Sequence, residues 1–179
     1  GLTSLEKKTT IGSINLIRPL LNFEKKDCEF ISKHIFDFFI NDPSNENINF
    51  KRIEVRKIIN EFKRSGLDKD KLFLTLRNLK SSNNTIGFYT KQNKRLNSFF
   101  DKKTNRIILS ETFFKQPYEV VFRAFSESLK IIGGNYFSAR GKKVDSILQK
   151  IKKGALKKET LSGCIIKKVN HSVIILKEY

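Results

Sequence analysis

The stretch from Pro117 to Gly134 constrains the fold more than any other part of this chain. It reads "PYEVVFRAFSESLKIIGG", and its apolar residues recur at the three- and four-residue spacing of a helix with one buried face. Proline suits the first turn of a helix, and Glu119 fits the amino-terminal end, where the helix dipole favours negative charge. Gly133 and Gly134 are typical of a helix stop. The sequence therefore predicts an amphipathic helix here and a hydrophobic core beneath it.

Patterns on either side of this helix predict a mixed α and β chain with a boundary near Gly66. Before the boundary, they indicate a short strand within residues 11–23 and two helices, "FEKKDCEFISKHIFDFF" and "FKRIEVRKIINEFKRSG", separated by a "DPSN" turn. After it, they indicate a long helix that Gly87 could interrupt, a strand in "NRIILSETFF" and the helix "KKVDSILQKIKKG". The tail predicts two strands, "TLSGCIIKKV" and "SVIILKEY", joined as a hairpin through Asn170 and His171.

Apolar residues of these elements make up the predicted core. Hydrophobic residues form 39% of the chain and include 16 phenylalanines, which is enough to bury a real core. The positions expected inside are Leu16, Ile31, Ile35, Phe38, Val121, Phe125, Leu129, Ile147, Leu148 and Cys164.

The net charge favours an anionic partner. Lys and Arg number 36 against 18 Asp and Glu, which gives a formal charge of +18. A field of this size attracts polyanions, of which nucleic acid is the commonest. A lysine-rich proteome would produce a similar composition without any such partner, so the charge alone leaves both interpretations open.

Other protein classes find little support in the sequence. No apolar run reaches the ~18–20 residues of a membrane span, and the first residues lack the apolar centre of a signal peptide, so we expect no membrane partner. Cys28 and Cys164 have no CxxC spacing and no histidine at ligand distance, which predicts two reduced thiols in a cytosolic protein and no metal site. His34 and His171 are isolated and favour structural or surface roles. No enzyme motif is complete.

The loop that begins the stretch "NDPSNENINFKRIEVR", residues 41–56, is a candidate binding element. Pro43 fixes one backbone torsion, while Asp42, Ser44 and Asn45 can bond back to neighbouring amides. Such a loop holds its polar groups in place before any ligand arrives.

Two arginines follow this loop on the next helix. Arg52 and Arg56 stand four residues apart and therefore share one helical face. Their guanidinium groups offer rigid forks of donors that suit phosphate oxygens. The alternative is an Asx turn with an arginine pair bonded to Glu54 or to the loop carboxylate, and the residues by themselves favour neither.

Three blocks of the sequence together resemble tRNA(Ile)-lysidine synthetase. They are "LIRPLL" followed by "NDPSNENINFKRIEVR", then "IGGNYFSARGKKVDSILQKIKKG", and finally "TLSGCIIKKV" with "VIILKE". Their order and spacing match this family along nearly the whole chain. The resemblance implies that residues 1–66 form the C-terminal part of a PP-loop catalytic domain, an N-type ATP pyrophosphatase similar to adenine nucleotide alpha hydrolases. Residues 67–179 would then form a mainly helical tRNA-binding domain closed by a small β-hairpin.

The resemblance also implies a ligase that modifies tRNA in the cytoplasm. The family uses ATP to adenylate the wobble cytidine of isoleucine tRNA with a CAU anticodon and then attaches L-lysine to form lysidine. Arg52 and Arg56 would be the catalytic cations, beside an active-site loop of Asp42, Ser44 and Asn45. ATP is expected with Mg²⁺, whose ligands would lie outside this chain. We leave a homodimer open as the oligomeric state.

The sequence departs from the family in two respects. The Ser-Gly-Gly-x-Asp-Ser pyrophosphatase loop and the lysine-binding segment are absent, and both are expected upstream of Gly1, so we expect this chain to be inactive alone. The family often has Asn after its first helix arginine, where this chain has Ile53, which puts any role for an amide there in doubt.

A cluster of cations surrounds the double glycine at residues 133–134, and we expect it to contact tRNA phosphates. Its members are Arg123, Lys130, Arg140, Lys142 and Lys143. The alternative function is a noncatalytic basic RNA-binding module, which the charge alone would support. Its weakness is the lack of an RRM aromatic pair, a KH GxxG loop or a double-stranded-RNA motif.

Overall fold

The structure, a computed structural model, describes residues 5–40 and 51–178, except for the side chains of residues 52, 56, 60, 63 and 69. The chain forms two compact units, 1–80 and 81–179. The division falls inside α3 (Lys69–Asn97), whereas the sequence predicted a boundary near Gly66. Gly66 does end a helix, with a φ of 94°. The first turns of α3 nevertheless group with the first unit, in which Lys80 pairs with Glu6 at 3.1 Å.

The first unit begins with a β-hairpin. Strands β1 (Lys8–Ile11) and β2 (Ile14–Ile17) are antiparallel, and Gly12 takes the positive φ of 61° that the tight turn between them requires. The Arg18 guanidinium donates to the Glu6 carbonyl at 3.0 Å and to Thr9 Oγ1 at 2.9 Å, which fastens the end of the hairpin. A short 3₁₀ helix, Pro19–Asn22, follows.

Two helices complete the described part of this unit before α3. Helix α1 (Lys25–Phe36) begins at a capping box, in which the Glu24 amide donates to Asp27 Oδ2 at 3.0 Å. It ends at Asp37, whose φ of 59° is left-handed. Helix α2 (Lys51–Arg64) is the one predicted after the Pro43 loop.

Four of the predicted core positions are wrong, and all four lie in the first unit. Leu16, Ile31, Ile35 and Phe38 are between 41% and 66% exposed. Helix α1 has an apolar stripe at the predicted spacing, but no described element of this chain covers it. Among the described residues of this unit, Ile53 of α2 is the one buried hydrophobic side chain.

The second unit is built on a five-stranded antiparallel sheet with the order β3-β4-β7-β6-β5. The strands are β3 (Ser98–Asp101), β4 (Arg106–Leu109), β5 (Lys158–Leu161), β6 (Cys164–Val169) and β7 (Ser172–Lys177). Strand β7 is central because it pairs with both β4 and β6. The predicted hairpin through Asn170 and His171 is present, with Val169 opposite Ser172. The sheet is larger than the small hairpin that the sequence predicted, because β3, β4 and β5 join it. Of these three strands, β4 lies within the predicted strand "NRIILSETFF".

Helices α4 (Glu111–Phe114), α5 (Tyr118–Gly133) and α6 (Gly141–Lys152) complete this unit, and α5 packs against β4, β6, β7 and α6. The six predicted core positions of this unit are confirmed. They are Val121, Phe125, Leu129, Ile147, Leu148 and Cys164, each at most 6% exposed. The core also includes Leu109, Phe113 and Ile175, all fully buried. The helix from Tyr118 therefore buries the face that its spacing predicted.

No helix in the described part of the chain combines the length and apolarity needed to cross a membrane.

Candidate functional site

Of the predicted catalytic and active-site residues, Arg52 and Arg56 belong to α2. Asp42, Ser44 and Asn45 are outside the described residues, and so are the side chains of Arg52 and Arg56. The backbone at positions 52 and 56 is helical, so the two positions are one turn apart as the sequence predicted. Ile53 is only 6% exposed. The position at which the family often has an amide is therefore occupied by a buried apolar side chain.

Most of the predicted tRNA-binding residues lie around the loop between α5 and α6, residues 134–140, which we call the α5–α6 loop. Asn135 anchors this loop to the β5–β6 turn, because its Nδ2 donates to the Ser162 carbonyl at 2.6 Å and contacts Ser162 Oγ at 3.2 Å. Gly133 approaches the same turn so closely that a Cβ atom there would lie 2.2 Å from the Ser162 carbonyl oxygen. The loop is therefore held by the sheet rather than only by its two helices.

Four of the five predicted cations lie on or beside this loop. Arg140 and Lys143 line a cleft of about 370 Å³ that the loop forms with Leu161 and Ser162. Lys142 is exposed in the first turn of α6. Lys130, in the last turn of α5, places its Nζ 5.9 Å from the centroid of the Tyr136 ring. The structure thus brings Lys130, Arg140, Lys142 and Lys143 to one region.

Arg123 is the exception among the predicted cations. Its Nε donates to Glu119 at 2.7 Å and its Nη1 donates to Asn83 at 2.6 Å. These bonds join α5 to α3, so the Arg123 guanidinium group already has two hydrogen-bond acceptors within the second unit. Arg123 does not line the cleft of the α5–α6 loop.

The start of α6 has an electrostatic arrangement that suits an anion. Its first turn contains Lys142 and Lys143 and no acidic residue, and within the part of the chain that the structure describes no side chain caps the helix at Arg140. Cations at this end are unfavourable to the helix dipole. The Lys143 and Val144 amides donate to the Arg140 carbonyl, whereas the Gly141 and Lys142 amides precede the first intrahelical acceptor and can donate to a ligand. A bound phosphate would offset the repulsion between the lysines and the helix dipole and would accept hydrogen bonds from the free amides, since anions are stabilised at helix amino termini.

Sequence reasoning missed two aromatic residues of the same loop. Tyr136 and Phe137 are 66% and 78% exposed and line the cleft beside Arg140. The available signal was an aromatic pair among cations in "IGGNYFSARGKK", an arrangement that nucleic-acid surfaces use for base stacking.

A larger cleft of about 500 Å³ lies elsewhere in the second unit, and none of the predicted site residues whose side chains the structure describes line it. Phe114, Val121 and Leu148 contribute to its apolar walls, and Lys152 and Lys168 to its charge. At one side, the hydrogen bond that the Tyr118 hydroxyl donates to Asp145, at 2.7 Å, raises the pKa of Tyr118 above its usual value. The tyrosine therefore stays neutral and joins α5 to α6.

Neither nucleophilic nor metal chemistry is evident among the described residues. Burial raises the pKa of the Cys164 thiol to about 11, so the thiol is protonated near neutral pH and is a poor nucleophile. Its Sγ contacts the Leu129 carbonyl at 3.3 Å, which is a structural role. Within residues 5–40 and 51–178, no group of His, Cys, Asp or Glu is arranged to hold a metal ion.

Comparison with known proteins identifies the class of the first part and relatives of the whole chain. Residues 1–62 match the family model of a PP-loop domain. The chain is 28% identical to the tRNA(Ile)-lysidine synthase of Wolbachia sp. subsp. Brugia malayi (strain TRS), over 189 aligned residues that cover 99% of this chain and 42% of the relative. The enzyme of that name from Wolbachia pipientis wMel is also 28% identical, with the same coverage. These matches confirm the resemblance to tRNA(Ile)-lysidine synthetase.

A shorter match is more similar and falls on the first part of the chain. The tRNA(Ile)-lysidine synthase of Prochlorococcus marinus (strain NATL1A) is 47% identical over 60 residues, which cover 33% of this chain and 18% of the relative. The chain spans about two fifths of the length of the Wolbachia relatives. No solved structure matches it.

Proposed function

We propose that this chain is part of a tRNA(Ile)-lysidine synthetase, a ligase that modifies the wobble cytidine of isoleucine tRNA with a CAU anticodon. In this reaction the cytosine C2 oxygen attacks the α-phosphate of ATP, and pyrophosphate leaves. The free amine of L-lysine then attacks C2, and AMP departs with the original oxygen. The observation that carries the proposal is the similarity to enzymes of that name along 99% of the chain.

Within this reaction, we assign electrostatic stabilisation to Arg52 and Arg56. Negative charge develops on the α-phosphate as the adenylate forms, and guanidinium groups held near it lower the energy of the transition state. Their positions one turn apart on α2 support the assignment, as does the PP-loop domain match that includes them. Asp42, Ser44 and Asn45 are proposed as the loop that positions this face of the site.

We assign tRNA binding to the second unit, around the start of α6. The phosphate backbone of tRNA supplies the anions that the first turn of α6 lacks. Arg140, Lys142 and Lys143 are the proposed phosphate contacts, with Lys130 beside them. A contact between Arg123 and tRNA remains a prediction, and the hydrogen bonds of Arg123 to Glu119 and Asn83 favour a structural role instead.

The small-molecule partners follow from the same proposal. ATP is the nucleotide and L-lysine is the second substrate. The described residues offer no ligand set for Mg²⁺, so we assign none to this chain and derive no step through the ion. A cytoplasmic location is expected from the tRNA substrate, and a homodimer stays a prediction.

The catalytic assignment is tested in a protein that also supplies a PP-loop. We suggest a fusion in which this chain replaces the matching segment of the Wolbachia relative, with pyrophosphate release measured in the presence of isoleucine tRNA and ATP. Arg52→Ala should reduce adenylate formation by ~10²-fold, because one charge-stabilising donor is lost. Arg64→Ala, an exposed arginine at the other end of α2, is the matched control and should leave the rate unchanged.

Two results would count against this assignment. Unchanged pyrophosphate release by the Arg52→Ala fusion would return Arg52 to a structural role. A parent fusion that binds isoleucine tRNA but releases no pyrophosphate would favour the alternative, a noncatalytic RNA-binding module. That alternative is not favoured, because relatives that match 99% of the chain are named as synthases.

A further inference from the structure

The α5–α6 loop exposes two aromatic rings in a position that folding alone does not explain. Tyr136 is 66% exposed and Phe137 is 78% exposed, although the loop that carries them is fastened by Asn135 to the β5–β6 turn. Neither ring belongs to the hydrophobic core of the second unit, in which Leu129, Ile132 and Cys164 are buried. An apolar ring held in water by an anchored loop is a feature that a bound partner would explain.

The geometry of the two rings distinguishes their roles. Their centroids are 5.0 Å apart and their planes are nearly perpendicular, at 83°, so they cannot form one continuous stack. Lys130 Nζ lies over the Tyr136 ring, 5.9 Å from its centroid, and occupies one of its faces as a cation–π contact. Phe137 is therefore the ring better able to accept a flat partner, and Tyr136 supports it edge to face.

The surroundings of Phe137 favour a partner that is both flat and anionic. Arg140 and Lys143 line the same cleft, and none of the described residues that line it is acidic. A peptide with acidic side chains would match the charge but would leave the exposed ring face without a planar partner. An unpaired nucleotide matches both, because its base stacks on an aromatic ring while its phosphate meets the cations.

We propose that Phe137 is a stacking platform for one unpaired base of the bound RNA, with the adjoining phosphates held by Arg140 and Lys143. This inference rests on the proposed function, and it adds that the loop binds a nucleotide outside a double helix. A helical stem would offer only phosphates to this surface, because its bases are already stacked on one another. The cations contribute affinity for any RNA, whereas Phe137 selects a site where a base is free.

The experiment uses the whole chain and a short single-stranded RNA that carries 2-aminopurine, whose fluorescence is quenched on stacking. Titration with the parent chain should quench the fluorescence. Phe137→Leu keeps an apolar side chain but removes the ring, so it should weaken binding by roughly 5- to 100-fold and abolish most of the quenching. Phe137→Trp should restore both. Phe99→Leu, which removes another exposed phenylalanine from the edge strand β3, is the matched control and should behave as the parent.

Two further measurements separate this inference from the proposed function. If Phe137→Leu binds and quenches as the parent does while Arg140→Ala with Lys143→Ala weakens binding, the stacking inference is wrong and the tRNA surface stands. If neither variant changes RNA binding, both proposals for this loop are wrong. A blunt-ended, fully paired RNA duplex should bind the parent and Phe137→Leu with equal affinity, and a loss with Phe137→Leu there would also contradict a stacked, unpaired base.

Discussion

Gly133 is the residue on which the α5–α6 loop depends most directly. It belongs to the last turn of α5, where a Cβ atom would meet the Ser162 carbonyl oxygen at 2.2 Å and Asn135 Nδ2 at 2.8 Å. The first of these contacts is with backbone and cannot be relieved by a side-chain rotation. We therefore predict that Gly133→Ala lowers the free energy of unfolding by about 1–3 kcal/mol, the usual cost of overpacking, as measured by urea denaturation.

Gly87 provides the matched control for this substitution. It lies inside α3, and a Cβ atom there would have no neighbour within 4 Å. Because alanine is favoured over glycine in a helix, Gly87→Ala should leave stability unchanged or raise it by up to about 1 kcal/mol. If both variants lose stability equally, the contact with Ser162 is not the cause.

Gly133 shows that a local sequence pattern does not predict contacts with residues that are distant along the chain. The double glycine predicted a helix stop, and Gly134 indeed has the left-handed φ of 66° that ends α5. The reason for glycine at 133 is different, because it depends on Ser162, which is distant along the chain. The roles of Arg52 and Arg56 remain predictions, because neither side chain is described.

Helix α6 has a charge distribution that separates its stability from its proposed function. Lys142 and Lys152 are exposed lysines at its opposite ends. The helix dipole disfavours the first and favours the second. We predict that Lys142→Glu raises the free energy of unfolding by about 0.3–1 kcal/mol and that Lys152→Glu lowers it by a similar amount.

Measuring RNA binding on the same two variants completes this prediction. They have the same net charge, so a general effect of charge would weaken binding equally. Lys142→Glu should weaken the binding of isoleucine tRNA strongly even though it stabilises the fold, and Lys152→Glu should weaken it only slightly. Equal losses would mean that α6 has no local phosphate site and that the tRNA responds to the overall charge.

At the scale of elements, helices were predicted better than strands. The helix from Tyr118 was clear because its apolar spacing, proline and glycines all agree. Strands β1, β3 and β5 were missed, since each has only four residues and lies at an edge of its sheet. The sequence "TLSGCIIKKV" was interpreted as one strand, although Ser162 and Gly163 both have positive φ, at 57° and 71°, and make a tight turn between β5 and β6.

Across the whole molecule, apolar residues of the two units have different surroundings. In the second unit, the apolar faces of α5, α6 and the sheet meet one another, and the predicted core is buried. In the first unit, Ile31, Ile35 and Phe38 have the same kind of spacing but remain exposed. Spacing predicts which side of an element is apolar. It does not supply the element that covers that side, so the sequence could not distinguish these two outcomes.

The overall charge of +18 leads to a prediction about how binding depends on salt. Each phosphate contact releases counterions, so log K for isoleucine tRNA should fall by roughly 0.7–0.9 per contact for each log unit of salt. Replacing Arg140, Lys142 and Lys143 together with alanine should weaken binding and flatten this slope by about two to three units, as measured by filter binding at several salt concentrations.

A second triple variant determines whether the position of these charges matters. Lys102, Lys103 and Lys157 are exposed lysines of the same unit that do not line the cleft of the α5–α6 loop. Replacing them with alanine lowers the net charge by the same amount, from +18 to +15, since three positive charges are removed in each case. Counterion release counts only cations that contact phosphates, so this control should keep the slope of the parent chain. If the two triple variants flatten the slope equally, tRNA is held by the general field of the protein. If only the first does so, the start of α6 is where the phosphate backbone binds.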